Sequence, residues 1–394
     1  MQPFSEVGVF TSCETAPLSL TNSALHSGLD GKPEFRRRVA SLAGNIALIA
    51  VSVIVPLMVL ELGWRLVRSG PQALVHWPNL ARQHMGNSED GAQSCAYAYD
   101  ATLGWRLPSD CTSSGYNTDA DGFRRVPGRS DAAPPAILAT GSSFAQGQEV
   151  SDGETWPAYL QDLVGRKVVN AGVSGYSFDQ TVLRTERLAA RLKPPVIVTS
   201  FTAADIHRSE LKVAWSREKP YFAVTDGRLE LRNVPVPRSQ GASVALPTAA
   251  RLVGWSMLAD EVAQRLVIQN GWYFDEVRAL PRGTGETVAC LLMTRLAALG
   301  VPVMVVAQYS RGDLMSDEDG KARTTRSIRK VLGCAADAGL IPFDLYEPLR
   351  PALDARGIDA LYRQDHHSAE GNRVTAELIL HELVRRRLLP ATER

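Results

Sequence analysis

The sequence lacks a surplus of charge: 43 Lys and Arg stand against 42 Asp and Glu, a formal net charge of +1 over 394 residues. Such a balance excludes a protein that holds nucleic acid or another polyanion by bulk charge. Internal repeats and long low-complexity tracts are also missing, which excludes solenoids and arrays. Turns built to cradle phosphates are absent too: GLDGK at Gly28 and PRGTG at Pro281 have the glycines but not the spacing. Clustered metal ligands are missing as well. The adjacent pair His366–His367 is poorly placed to share one ion, so neither a metal nor another cofactor is expected. Cysteine is sparse, at five residues.

What the chain does have, near its start, is one long apolar run. Val39 to Leu62 reads VASLAGNIALIAVSVIVPLMVLEL, interrupted only by small polar residues, Asn45 and the terminal Glu61. At about 1.5 Å per residue a helix of this run crosses a hydrocarbon core of about 30 Å. Pro56 is tolerated in a spanning helix, Trp64 suits the interface, and Arg65 and Arg68 can reach the headgroups. The run starts after nearly forty polar residues and is long for a cleaved leader, so it reads as a retained signal-anchor. Lys32, Arg36, Arg37 and Arg38 precede it, which favours a cytoplasmic N-terminus and an exported C-terminal part. Cys13 then stays in the reducing compartment. The four exported cysteines permit the pairs Cys95–Cys111 and Cys290–Cys334, with unpaired buried thiols as the alternative.

The chain divides into four segments. Residues 1–38 read as a disordered cytoplasmic tail, 39–67 as the anchor, 68–130 as a polar segment packing on the domain after it, and 131–390 as that main domain. In the main domain apolar runs alternate with helical patterns. Strands are expected at Ala136–Thr140, Lys167–Asn170, Val196–Phe201, Val301–Ala307 and Ile341–Leu345. Between and after them, helices are expected at Thr155–Leu163, Phe178–Arg191, Glu286–Leu299, Ala322–Ala338 and Ala369–Arg387. This rhythm predicts an α/β fold with a parallel sheet covered by helices on both faces. Around 219–237, two β-rich runs flank Asp226-Gly227 and predict an inserted hairpin.

Unusual residues collect where these strands end. The first run stops at Gly141-Ser142-Ser143-Phe144. The second leads into NAGVSGYS, with Asn170 and Gly175, and the third into FTAADIHR, with Ala204, Asp205 and His207. QDHHSAEGNRVTAEL places Asp365, His366 and His367 just before the last helix, whose N-cap is Ser368. A strand-to-helix turn explains any one of these features alone. Serine, glycine loop and Asp-His pair together match a nucleophile, an oxyanion donor, and a base with its orienter. His207 reads as a surface or supporting residue.

These blocks resemble the SGNH or GDSL-type hydrolases over roughly residues 100–385. The block Gly141-Ser142-Ser143-Phe144, continued by ETWPAYL, is similar to the family's Gly-Asp-Ser-Phe and gives Ser143 the nucleophile's role. NAGVSGYS resembles the second block and gives Gly175 the oxyanion role, while Thr202 to Asp205 aligns with the third. Asp365 to His367 aligns with the last block. LGWR and DGFRR resemble the lead-in of membrane-anchored members. Two positions depart: Ser142 stands for the usual Asp, and Ala204 for the oxyanion Asn. The family's spacing favours His366 as base; an Asp-x-His spacing from Asp365 favours His367.

The resemblance implies a flavodoxin-like three-layer α/β/α fold preceded by one membrane helix. It implies an esterase with Ser143, Asp365 and His366 or His367 as catalytic residues. Gly175 and the Ala204 position would form the oxyanion site, with Ser142, Asn170 and Asp205 in support. The substrate would be an acylated glycan or lipid, with the domain on the periplasmic side of a bacterial inner membrane. An O-acyltransferase and a catalytically impaired scaffold are the alternatives.

Overall fold

The computed structural model describes residues 33–80, 95, 97–113, 115–128, 136–215, 217–238, 248–265 and 283–389. The chain forms two units, one ending at Leu74 and one beginning at Val75. Most of the tail expected over 1–38 lies outside the described residues.

The first unit is built on a single helix, α1 (Pro33–Ser69), with Pro56 inside it. Leu42, Ile46, Leu48, Ile54, Leu57 and Leu60 are among its solvent-exposed apolar side chains, and it is the one helix among the described residues long and apolar enough to cross a membrane. The helix carries its own answer to the charge at its end. Arg65 Nε donates to Glu61 Oε1 at 2.7 Å, one turn back.

The second unit is organised by five parallel strands: β1 (Ile137–Thr140), β2 (Val168–Asn170), β3 (Val196–Phe201), β4 (Val303–Ala307) and β5 (Ile341–Asp344). Their order across the sheet is β5-β4-β3-β1-β2. Alternate residues of the strands serve opposite faces. Leu138, Ile197 and Val305 pack into one core with the helices α4 (Phe178–Leu192), α6 (Thr284–Ala297) and α7 (Glu318–Asp337). Ile137, Ala139, Val198 and Met304 pack into the other with α3 (Trp156–Val164) and α8 (Ala369–Arg385). Covering both faces leaves β1 to β4 buried along their whole length and mostly apolar. The result is a three-layer α/β/α fold of the flavodoxin-like strand order. In that order the connection from β1 runs to one side of the sheet and that from β3 to the other, which makes their carboxyl ends the topological switch point.

Cys95 is bonded to Cys111 and Cys290 to Cys334, closing sequence separations of 16 and 44. By chain entropy loops of this size contribute about 3–4 kcal/mol each. Tyr221–Thr225 and Arg228–Arg232 pair as an antiparallel hairpin, turned by Asp226 and Gly227 at φ 50° and 72°. Fully buried Lys219 ties its base down, donating to Asp179 Oδ2 at 2.8 Å at the start of α4.

Candidate active site

The turn leaving β1 begins with Gly141 at φ 152°. A Cβ there would meet Ser200 Oγ at 2.5 Å and Ala145 Cβ at 2.8 Å, so only glycine lets β1 run close to β3 while the chain reverses. Ser142 is the N-cap of a short helix, α2 (Ser143–Gln146), and Ser143 is its first residue. Neighbouring serines thereby face different ways. Ser142 is buried and its Oγ donates to Asp205 Oδ2 at 2.8 Å. Ser143 is half-exposed above the sheet edge.

His366 meets Ser143 from the loop before α8: Nε2 is 2.8 Å from Ser143 Oγ. The other ring nitrogen, Nδ1, is 2.7 Å from Glu149 Oε1. A carboxylate only accepts, so Nδ1 carries the hydrogen, and Nε2 is left to accept from the serine hydroxyl. Glu149 Oε2 accepts from the amide of Gln364 at 3.0 Å, so both carboxylate oxygens are engaged with the histidine loop. Phe144 supports the imidazole from the side, ring centroids 5.0 Å apart. Hydroxyl, imidazole and carboxylate thus form one hydrogen-bonded chain.

The carboxylate in this chain corrects the sequence expectation. Asp365 is exposed, its Oδ1 accepts from Gly312 N at 3.3 Å, and among the described residues it bonds to neither histidine. The immediate neighbour of His366 points away from the imidazole face that Glu149 occupies. Sequence reasoning passed over Glu149 because it lies in the polar loop GQEVSDGE, where acidic residues read as solvated. Its one distinguishing mark, a φ of 72°, is conformational and has no sequence signature.

His367 is placed elsewhere as well. It is fully buried, with Nε2 3.0 Å from the Tyr362 hydroxyl, which itself donates to Tyr309 O at 2.9 Å. Burial first, and the nearby His366 second, push its imidazole down to about 3, so it is neutral at ordinary pH. It braces the loop and makes no contact with Ser143 among the described hydrogen bonds.

The other expected residues surround the turn. Asn170 Nδ2 donates to Gln146 O at 3.4 Å and its Oδ1 accepts from Gly172 N at 3.1 Å, tying the exits of β1 and β2 together. Gly175, at φ 79°, lies under Trp215. A Cβ would come 2.6 Å from the indole Nε1, which donates to Gly175 O at 3.2 Å. The amides of Ser143 and Gly175 have no acceptor among the described residues. On the helix α5 (Ala203–Arg208), Asp205 accepts from Thr202 N at 2.8 Å as well as from Ser142, and pairs with Arg208. Ala204 is exposed on the first turn and brings no side-chain donor. His207 is on the same helix, half-buried.

No protein-family model matches the chain, and no curated protein sequence does. Among solved structures it is similar to TesA (14% identity, TM-score 0.38, 64% of this chain and 99% of that one). It is also similar to a catalytic mutant of Axe2, an acetylxylan esterase from Geobacillus stearothermophilus (14%, 0.38, 64% and 94%). A protein assigned to the lipolytic G-D-S-L family from Desulfitobacterium hafniense DCB-2 aligns over 62% of this chain and 97% of that one, at 13% identity and TM-score 0.34.

Proposed function

We propose that this chain is a membrane-anchored serine esterase of the SGNH type, removing acyl or acetyl groups from exported glycans or lipids through an acyl-enzyme. The observation that carries the reading is the continuous chain Ser143 Oγ–His366–Glu149, at 2.8 and 2.7 Å. These separations fall within the reach of a nucleophile and its base.

As Ser143 Oγ attacks the ester carbonyl, its proton passes to His366 Nε2. Glu149 stays ionised and balances the imidazolium across Nδ1–H. The proton then goes to the departing alkoxide, leaving Ser143 acylated. A water replaces the alcohol and attacks the acyl carbon while giving a proton to the same nitrogen; as the bond to Ser143 Oγ breaks, His366 Nε2 returns that proton to Ser143 and the acid leaves. The Ser143 and Gly175 amides are the oxyanion donors. Ala204 leaves the third donor position empty, which costs about 3 kcal/mol of transition-state stabilisation in comparable sites. That loss makes a slow enzyme. The relay from Ser143 to Glu149 counts against a scaffold without chemistry.

The cluster Arg36–Arg38, which precedes the apolar run of α1, and the two disulfides of the second unit support an exported catalytic part, since such bonds persist in oxidising compartments. A phosphatase reporter fused after Arg394 should be active, as it is only when exported; an inactive phosphatase fusion beside an active β-galactosidase fusion at the same position would reverse this topology. For the chemistry, the detergent-solubilised full chain should hydrolyse p-nitrophenyl acetate and lose that activity in Ser143→Ala. Full activity in Ser143→Ala would remove the nucleophile.

A further inference from the structure

Glu149 reaches His366 from an awkward backbone. Its φ of 72° lies in the left-handed region, which a non-glycine residue adopts against steric strain. Such a conformation persists when its surroundings over-determine it, and one side chain brackets this residue on both sides. Arg124 Nη1 donates to Gln146 O at 3.1 Å and to Gly147 O at 2.6 Å, before Glu149. Its Nη2 donates to Val150 O at 2.5 Å, immediately after Glu149, and to Gly115 O at 3.3 Å. Nε donates to Asp152 Oδ1 at 3.0 Å, and Asp152 also accepts from the Asn117 side chain at 2.7 Å. The backbone amide of Arg124 donates to Asn170 O, at the end of β2. The residue is 2% exposed.

We infer that Arg124, carried by the DGFRR stretch ahead of the sheet, is the positioning residue that holds Glu149 against His366. The inference rests on Glu149 orienting the base in the proposed esterase. A guanidinium is suited to this task because its planar fork addresses several carbonyls at fixed angles, whereas a lysine ammonium is one flexible point. Arg124 touches neither Ser143 nor His366 in the described contacts, so its effect on the reaction passes through the loop 146–150. The segment before β1 is then a working part of the site, which explains why a polar stretch with little periodicity packs so closely against the exits of β1 and β2.

The test is a double-mutant cycle on the full chain, reading kcat and KM for p-nitrophenyl acetate, with Arg124→Lys, Glu149→Gln and both together. Misplacing a catalytic group by about 1 Å costs up to a hundredfold, so Arg124→Lys should lower kcat about tenfold or more with KM little changed. Added to Glu149→Gln, it should cost nothing further, because the group it positions is already gone. The acid limb of the rate should shift in the same direction in Arg124→Lys and in Glu149→Gln. Wild-type kcat in Arg124→Lys, or a further tenfold loss on the Glu149→Gln background, overturns the inference while leaving the triad intact. Wild-type kcat in Glu149→Gln overturns the triad, and the inference with it. If Arg124→Lys does not fold, Asp152→Asn replaces it under the same criteria, since it releases the Nε end of the same guanidinium.

Discussion

Replacing Glu149 by Gln keeps the shape of the side chain and removes its charge. Glu149 accepts two hydrogen bonds, from His366 Nδ1 and from Gln364 N. A glutamine has one carbonyl oxygen, so it can serve one of these donors and must turn its NH2 towards the other. The electrostatic loss is larger. Two unit charges about 4 Å apart attract by about 4 kcal/mol at an effective dielectric of about 20. Imidazolium and carboxylate are charged together only once Ser143 has given up its proton, so the attraction belongs to the transition state and not to the resting site. The two side chains are 15% and 19% exposed. Solvent screening therefore leaves about 2–3 kcal/mol, or a loss of roughly 30- to 150-fold in kcat. Steady-state hydrolysis of p-nitrophenyl acetate measures it, with Asp365→Asn as the comparison, expected within about twofold of wild type because Asp365 faces Gly312. A collapse of Asp365→Asn beside an unimpaired Glu149→Gln would refute the assignment.

Ala204→Asn should raise kcat about tenfold or more, because an amide aimed at the developing oxyanion helps the transition state more than the ground state; an unchanged rate would mean the position does not face the oxyanion. Ser142→Ala should spare much of the activity, since its hydroxyl serves Asp205 and not the substrate; a loss matching that of Ser143→Ala would exchange the two roles. His367 binds no proton in the folded chain until about pH 3, whereas in the unfolded chain it does so near 6.5. Its contribution to stability is therefore complete above pH 6.5 and is lost as pH falls towards 3, at about 1.4 kcal/mol per unit. Between pH 6.5 and 5, His367→Asn should lose about 2 kcal/mol less than wild type in denaturant melts; equal losses would place a charged or exposed imidazole there.

The layers of the fold were legible because burial imposes a pattern. Strands covered on both faces are mostly apolar, and β1, β3 and β4 are bounded by turn residues that mark their ends. Gly141-Ser142-Ser143 was legible for a related reason: few requirements other than a tight exit from a strand put glycine and two serines after a buried run. The choice between His366 and His367 was not legible, since neighbours in an irregular loop can face opposite ways. Packing against Tyr362, Phe144 and Thr375 holds His367 inward. Glu149 was hidden because its contact with His366 spans 217 positions and depends on one left-handed backbone angle. Arg124 was hidden likewise: its bonds go mostly to carbonyl oxygens, which every residue has, so nothing in its partners' identities points back to it.

The central claim is that Ser143 is an activated nucleophile, and covalent capture tests it most directly. The full chain in detergent would be treated with a fluorophosphonate and digested, and the modified peptide identified by mass spectrometry. A phosphonyl group is predicted on Ser143, absent in Ser143→Ala and formed far more slowly in His366→Ala. Label on Ser142, or label on Ser143 at the same rate without His366, would contradict the claim.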